Sequence, residues 1–330
     1  MRSHTVFKKL VLLTIVALLV VPVLPTGAQA EKPKIGFIPG VVDPFYQVME
    51  LGINAAAQDL GMEVVTQYPD DWNVTLQTPI LEAMVARGDL DYIIIAPVDK
   101  EQMIGPLQAA VDAGIKIITV DTFIGDGDYI NGPVTFPISY IGSDNVEGGR
   151  IAAEALGEKL GGEGKVYIQN TNEGVSTVIQ RAEGFREGIA EFPGMEVIGE
   201  EFCLDDANLA TEQTAAVLER EPELVGIFGV NVFSAQGAGT AVLNAGLGGT
   251  VDVIAFDATQ FAIEQLRAGT VSLVIAQKPY DMGYLAMEFA LADARGVTSL
   301  PKRVPTGYAV ITADNVDDPE VARFIYQVPE

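Results

Sequence analysis

Short acidic and amide side chains recur at one kind of place in this chain, just after runs of apolar residues. Asp43-Pro44-Phe45-Tyr46, Asp70-Asp71-Trp72, Asp99 and Asp121-Thr122 follow four such runs in the first half. Asn170 with Asn172 and Glu173, Asp205-Asp206, Asn231, Asp257 and Gln277 follow five more in the second half. Carboxylates and carboxamides offer planar acceptors and donors that match vicinal hydroxyls. Rings such as Phe45 and Tyr46 can pack on the apolar C–H face of a sugar. The competing role for any one Asp or Asn is to cap the helix that follows. Arg181 argues that capping is not the whole account, because it stands near the start of a helical segment, where a cation opposes the helix dipole. An exposed pair with Glu183 or Glu187 is the alternative for Arg181.

What is missing narrows the chemistry further. The one histidine is His4. It falls in a leader-like segment, so the remaining chain carries no imidazole for a Ser-His-Asp or Cys-His nucleophile or for a His-ligated zinc. Lys, Tyr and carboxylates could still exchange protons, so an enzyme is disfavoured rather than forbidden, and no metal or cofactor is expected. Cys203 is the one cysteine and can form no internal disulfide. The formal charge is -25, which turns nucleic acid and anionic lipid away.

These residues sit on a regular alternation. Apolar, β-branched runs at Lys34–Ile38, Glu63–Gln67, Tyr92–Ala96, Lys116–Val120, Lys165–Gln169, Glu196–Phe202, Gly226–Gly229, Val251–Phe256 and Ser272–Ala276 read as strands buried on both faces of a parallel sheet. Segments of helical period lie between them at Phe45–Leu60, Thr78–Arg87, Met103–Ala113, Glu147–Leu160, Val178–Ala190, Leu209–Arg220 and Phe233–Ala245. Gly61, Gly114, Gly161 and Gly246 stand where a left-handed cap would close several of these helices. Repeated βα units predict helices on both faces of a parallel sheet, whose ligands bind beyond the carboxyl ends of the strands. The alternation pauses between Asp121 and Gly142, ends that pause in a short strand at Ser139–Ile141, and restarts. The chain therefore reads as two α/β halves with a first crossing between them.

Residues 1–30 form a separate unit. Arg2, Lys8 and Lys9 precede the apolar run Leu10 to Val21, and Ala28-Gln29-Ala30 supplies a small-x-small site. The expectation is cleavage after Ala30, with a soluble, periplasmic or secreted product that is not inserted in a membrane. Loss of the three basic residues of this segment takes the charge from -25 to -28.

Other motifs carry less. Gly237-Ala238-Gly239 lies inside a helical pattern without the third glycine of a dinucleotide loop. Gly125-Asp126-Gly127-Asp128 lacks the further acids of a calcium loop and reads as a solvated turn. Asn73-Val74-Thr75 matches a glycosylation pattern that means little in a bacterial exported chain. Trp72 either closes over a ligand or packs in its loop.

Taken together, several motifs make the chain similar to the ribose-type periplasmic sugar-binding proteins, relatives of the LacI ligand domain and of autoinducer-2 receptors. They are Asp43-Pro44-Phe45-Tyr46, Ile118-Thr119-Val120-Asp121, Ser143-Asp144-Asn145 with Gly148-Gly149, Arg181-Ala182-Glu183-Gly184-Phe185, Phe256-Asp257 and Ile275-Ala276-Gln277. The resemblance runs from Lys34 to about Val310. It implies two Rossmann-like, doubly wound lobes joined by three crossings near Gly142, Gln277 and Gly307. Residues 31–142 and 278–307 would form one lobe, 143–277 and 308–330 the other. It carries ligand contacts to Asp43, Phe45, Tyr46, Asp121, Arg181, Asn231, Asp257 and Gln277, with Ser143 at a crossing. Thr122 and Asp205 join them at positions where ribose binders carry Arg and a stacking Phe; Val232 replaces their Asp. Trp72, Asn172 and Glu173 are secondary candidates.

Four acids against one cation suit a neutral sugar or sugar alcohol and disfavour sugar acids and phosphates. The implied role is monomeric, non-catalytic capture for an ABC permease. A receptor for a furanosyl or chemotactic signal is the alternative. A repressor is rejected because the leader stands where a helix-turn-helix would be. A glycosidase would need two carboxylates set across a bond.

Overall fold

The computed structural model describes residues 32–328, so the predicted leader lies outside the described residues. The first part runs β1 (Lys34–Ile38), α1 (Pro44–Leu60), β2 (Glu63–Thr66), α2 (Val74–Ala86), β3 (Tyr92–Ile95), α3 (Ile104–Asp112), β4 (Lys116–Val120) and β5 (Tyr140–Gly142). The second continues with α4 (Asn145–Lys159), β6 (Glu163–Asn170), α5 (Ser176–Ile189), β7 (Gly194–Phe202), α6 (Ala207–Arg220), β8 (Leu224–Gly229), α7 (Val232–Asn244), β9 (Asp252–Phe256), α8 (Gln260–Ala268) and β10 (Val271–Ala276). The chain ends in α9 (Pro279–Ala294), β11 (Arg303–Pro305), β12 (Ala309–Ile311) and α10 (Pro319–Ala322). No described helix is long and apolar enough to cross a membrane.

Two six-stranded sheets result, ordered β11-β5-β4-β3-β1-β2 and β12-β10-β9-β8-β6-β7. Each order doubles back beside its first strand, between β1 and β3 and between β6 and β8, opening a crevice at the carboxyl ends of the strands. Ile35, Phe37 and Ile38 on β1, Ile93 to Ile95 on β3 and Val253 to Phe256 on β9 are fully buried, as helices on both faces require. The chain passes between the sheets after β5, after β10 and between β11 and β12, where Gly307 adopts φ 69.

One pairing departs from the all-parallel expectation: β12 runs antiparallel to β10. The cause is the route. β11, parallel to β5, leaves the first sheet at its carboxyl end. The turn at Gly307 then delivers the chain to the carboxyl end of the second sheet, which it enters in the opposite sense.

Helix α2 begins four residues before the expected Thr78. Asn73 caps it by accepting from the Thr75 N–H at 2.8 Å, and Pro79 is held inside the helix. Gln77 supplies the anchor that offsets the proline, with Nε2 donating to Ala96 O at 2.8 Å and Pro39 O at 3.1 Å and Oε1 accepting from Val98 N–H at 3.1 Å. Gly61, Gly114, Gly161 and Gly246 all take positive φ, as their places after helices require. Helix α9, which follows the second crossing, packs on α1 of the first part, while α4 packs on its neighbour α5.

Candidate functional site

A crevice with about 440 Å³ of space between its atoms, part of it open to solvent, lies where the carboxyl ends of the two sheets meet. From the first sheet it is lined by Asp43, Phe45 and Tyr46 at the start of α1, Trp72 before α2, and Asp121 after β4. From the second it is lined by Arg181 on α5, Asp205 before α6, Asn231 at the cap of α7, Asp257 after β9 and Gln277 after β10.

Backbone geometry sets these acids apart from ordinary caps. Among the described residues, the non-glycine positions with positive φ are Asp121 (58), Leu204 (52), Asp205 (59) and Asp257 (77). Three are cavity acids and the fourth precedes one. A side chain in the left-handed region costs roughly 1–2 kcal/mol, least for Asn and Asp. Strain of this kind gathers where the surrounding structure has a use for it. Here it turns each carboxylate off the end of its strand into the crevice. Capping is done by neighbours: Asp206, not Asp205, caps α6, and Thr259, not Asp257, caps α8. Asp43 and Asn231 do both jobs, since each caps a helix and lines the cavity.

Each acid is partly satisfied by the protein. Tyr46 Oη donates to Asp121 Oδ2 at 2.6 Å, and the Tyr46 N–H to Asp43 Oδ1 at 2.8 Å. Thr171 Oγ1 and Asn231 Nδ2 donate to Asp205 Oδ1 at 2.7 and 2.8 Å. Asp257 Oδ1 accepts from Gln277 Nε2 at 2.8 Å. Arg181 is 3% exposed and forms no pair with Glu183 or Glu187; Glu187 instead meets Arg150 at 2.5 Å. Its Nε donates to Asn145 Oδ1 at 2.8 Å, its Nη1 to Val230 O at 2.9 Å, and its guanidinium lies 4.0 Å from the centre of the Phe256 ring. Held on three sides, it can present its remaining nitrogen to a guest.

The electrostatics follow from burial. Desolvation raises Asp43 well above the usual carboxylate range against the Tyr46 N–H that lowers it, and Asp257, Asp121 and Asp205 push it further. Burial lifts Asp121 to about 6 despite Arg181 and the Tyr46 hydroxyl. Asp205 and Asp257 are raised by burial too, the latter against Arg181, Gln277 and Tyr326. Four desolvated acids facing one guanidinium call for neutral hydrogen-bond donors.

Four sequence candidates lie off the cavity. Thr122 Oγ1 donates to Pro97 O at 2.8 Å, behind the wall. Ser143 Oγ donates to Gln277 Oε1 at 2.7 Å and so ties two crossings together. Asn172 folds back on its own loop, accepting from the Gly174 N–H at 3.0 Å. Glu173 borders an outer groove with Arg186 and Glu200. Trp72 does line the cavity, its Nε1 donating to Val98 O at 2.7 Å and its ring centre 6.1 Å from that of Tyr46.

The sequence reading missed Val41, Thr171, Val175, Thr177, Val178 and Phe233 in the wall. Phe233, an aromatic in the first turn after Asn231, carried a signal like that of Phe45; the small residues carried none.

The two halves also touch at the cavity rim. The Lys100 N–H approaches Gly174 O at 3.5 Å, and the Phe123 N–H donates to Ser176 Oγ at 3.3 Å.

The remaining motifs resolve locally. Gly237 and Gly239 lie within α7, where α6 and Gln265 approach them. The carboxylate of Asp128 accepts from the Ile130 and Asn131 N–H groups at 2.9 and 3.0 Å, forming a turn. Among the described residues no cluster of three metal-ligating side chains occurs.

Comparison with known proteins agrees with this geometry. The model of the periplasmic binding protein domain matches residues 35–297. An ABC transporter solute binding protein from Agrobacterium vitis, solved with alpha-D-tagatopyranose, is 45% identical, with a TM-score of 0.87 over 90% of this chain and 100% of that one. A carbohydrate transporter solute binding protein from Agrobacterium radiobacter, in complex with D-arabinose, is 28% identical, with a TM-score of 0.83 over 89% and 99%. The D-ribose/D-allose-binding protein of Pseudomonas aeruginosa is 28% identical over 279 residues, 81% of this chain and 84% of that one. The chain belongs to the periplasmic binding protein domain family.

Proposed function

We propose that the chain is a non-catalytic solute-binding protein that captures a small neutral sugar or sugar alcohol for an ABC importer. The observation that carries this reading is the cavity at the meeting of the two sheets, where acids from both sides face one buried guanidinium. A ligand hydroxyl can donate to a carboxylate and accept from Arg181 at once, and hydrogen bonds to charged groups contribute roughly 1.5–3 kcal/mol each. Phe45, Trp72 and Phe233 add apolar surface for ring C–H groups. An anionic sugar would bring a further negative charge beside four acids.

Residues 31–142 with 278–307 and residues 143–277 with 308–330 act as lobes that swing about the three crossings. Without ligand, the desolvated acids favour separation and hydration. A guest that matches both sides shifts the population toward closure, and the membrane permease reads the closed form. One chain holds the whole cavity, which suits a monomer. Export by cleavage after Ala30 places that monomer outside the cytoplasmic membrane. The relatives described above bind sugars, and the A. vitis protein makes a ketohexopyranose the first ligand to try. The signal-receptor alternative finds no such support.

A thermal-shift panel of neutral pentoses, hexoses and C4 to C6 polyols tests the reading. Ligand at about a hundred times its Kd adds roughly 2.7 kcal/mol, a rise of several degrees. A flat response across the panel would overturn it.

A further inference from the structure

The last aromatic residue of the chain belongs to neither the wall of the cavity nor any regular element. Tyr326 follows α10 in the terminal segment and is 2% exposed. Its N–H donates to Ala258 O at 2.8 Å, tying the tail to the residue after Asp257. Its hydroxyl donates to Asp257 Oδ1 at 2.9 Å and accepts from the Gln277 N–H at 3.2 Å. Gln277 Nε2 donates to the same carboxylate oxygen, and Ser143 holds Gln277 in turn. On its other side the Tyr326 ring meets Phe45 edge-on, with centres 6.0 Å apart. One side chain thus touches an acid of the second lobe, an aromatic of the first, and the crossing at Gln277.

We propose that Tyr326 is a positioning residue of the sugar site: from the hinge side its hydroxyl fixes the Asp257 carboxylate and its ring braces Phe45. Asp257 needs such support. It stands at φ 77 beyond the end of β9, in a conformation its backbone does not favour. Two donors converge on Oδ1 and the Val232 N–H also faces the carboxylate, so Asp257 is held in one orientation at the cavity wall. The terminal tail thereby shapes a cavity it does not line. The other groups facing Asp257 are Arg181 on α5, Asp43 and Asp121 across the crevice, and Tyr308 ahead of β12.

The role in binding rests on the sugar-capture reading, so the test has one arm that uses ligand and one that does not. Tyr326→Phe keeps the ring and removes the hydroxyl. In calorimetric titrations with D-tagatose, or with whichever neutral sugar the wild type binds, its Kd is expected to rise about tenfold. The acid limb of its affinity profile should also move to higher pH, because Asp257 has lost a donor that favours its charged form. The ligand-free arm compares melting temperatures from about pH 4 to about pH 7. Burial already raises Asp257 in the folded state, and loss of the donor raises it further. The folded variant is then penalised as pH climbs, so its Tm deficit should be small at the acid end and widen toward neutrality. Asp257→Asn in the same background should abolish that widening. A Tm deficit independent of pH, or an unchanged Kd and profile, overturns the positioning role. A wild type that binds no neutral sugar while the Tm deficit still widens would instead overturn the capture reading and leave the Tyr326–Asp257 link standing.

Discussion

Arg181 shows how much of the site depends on one side chain. Among the described residues it is the one cation lining the cavity, and it offsets both Asp121 and Asp257. Arg181→Ala would leave Asn145 Oδ1 and Val230 O without their donors and two buried acids without a counter-charge. Breaking a buried ionic arrangement by removing one partner costs about 3–5 kcal/mol. We expect sugar binding to fall at least a hundredfold, about 2.8 kcal/mol at 1.4 kcal/mol per factor of ten. Part of the stability loss should depend on pH. Asp121 already sits at about 6, and without the guanidinium it rises further. A raised carboxylate destabilises the fold as pH increases past its unfolded value. Chemical denaturation should therefore show a larger deficit at pH 7 than at pH 5; equal deficits would mean that Arg181 does not govern Asp121. At this scale the sequence was informative about residue type and poor on direction. The polar residues after each strand were visible, and Asp43, Asp121, Asp205, Asn231, Asp257 and Gln277 among them line the cavity. The left-handed backbone of Asp121, Asp205 and Asp257 was not visible, because Asp enters that region at little cost and leaves no mark in composition. Ser143 stands at a crossing as the resemblance implied, and the hydroxyls of Thr122 and Ser143 turn to acceptors within the protein, Pro97 O and Gln277 Oε1, which local sequence does not record.

Among the elements, the rim loops make the closed arrangement specific. The loop after β6 brings Gly174 against Asp99 and Lys100 of the first lobe. A Cβ at Gly174 would lie 2.8 Å from Asp99 Oδ2. Asp99 cannot easily yield, since its carboxylate accepts from the Glu101 and Gln102 N–H groups at 2.9 and 2.7 Å and from Gln102 Nε2 at 3.0 Å. Gly174 itself does not line the cavity, yet Gly174→Val should hold the lobes apart and raise the apparent Kd about tenfold, in proportion to the lost fraction of closed molecules. Small-angle scattering at saturating sugar would show a more open envelope than the wild type; identical envelopes and affinities would remove the rim from the account. The strands were readable because runs such as Ile93-Ile94-Ile95 satisfy a sheet covered on both faces. Helix α9 was harder. Its buried stripe runs along Met282, Ala286, Met287 and Ala290, but Tyr280, Leu285 and Phe289 make the other faces apolar as well, so the helical period has little contrast. The reversed β12 follows from the path of the chain through Gly307, which local sequence does not record.

For the whole molecule, the central claim is that one crevice at the meeting of two lobes holds an uncharged, hydroxyl-rich guest. The overall charge of -25 and the four cavity acids act in the same sense, against anions at long range and at contact. Trp72, the only tryptophan, lines that crevice and reports on it. The most direct test is a titration of Trp72 fluorescence with D-tagatose and other neutral pentoses, hexoses and polyols, each beside its phosphate ester or sugar acid. The account predicts a saturable 1:1 change with at least one neutral compound and none with its charged counterpart at the same concentrations. A silent response to every neutral sugar, or an anionic sugar bound as tightly as its neutral parent, would contradict it.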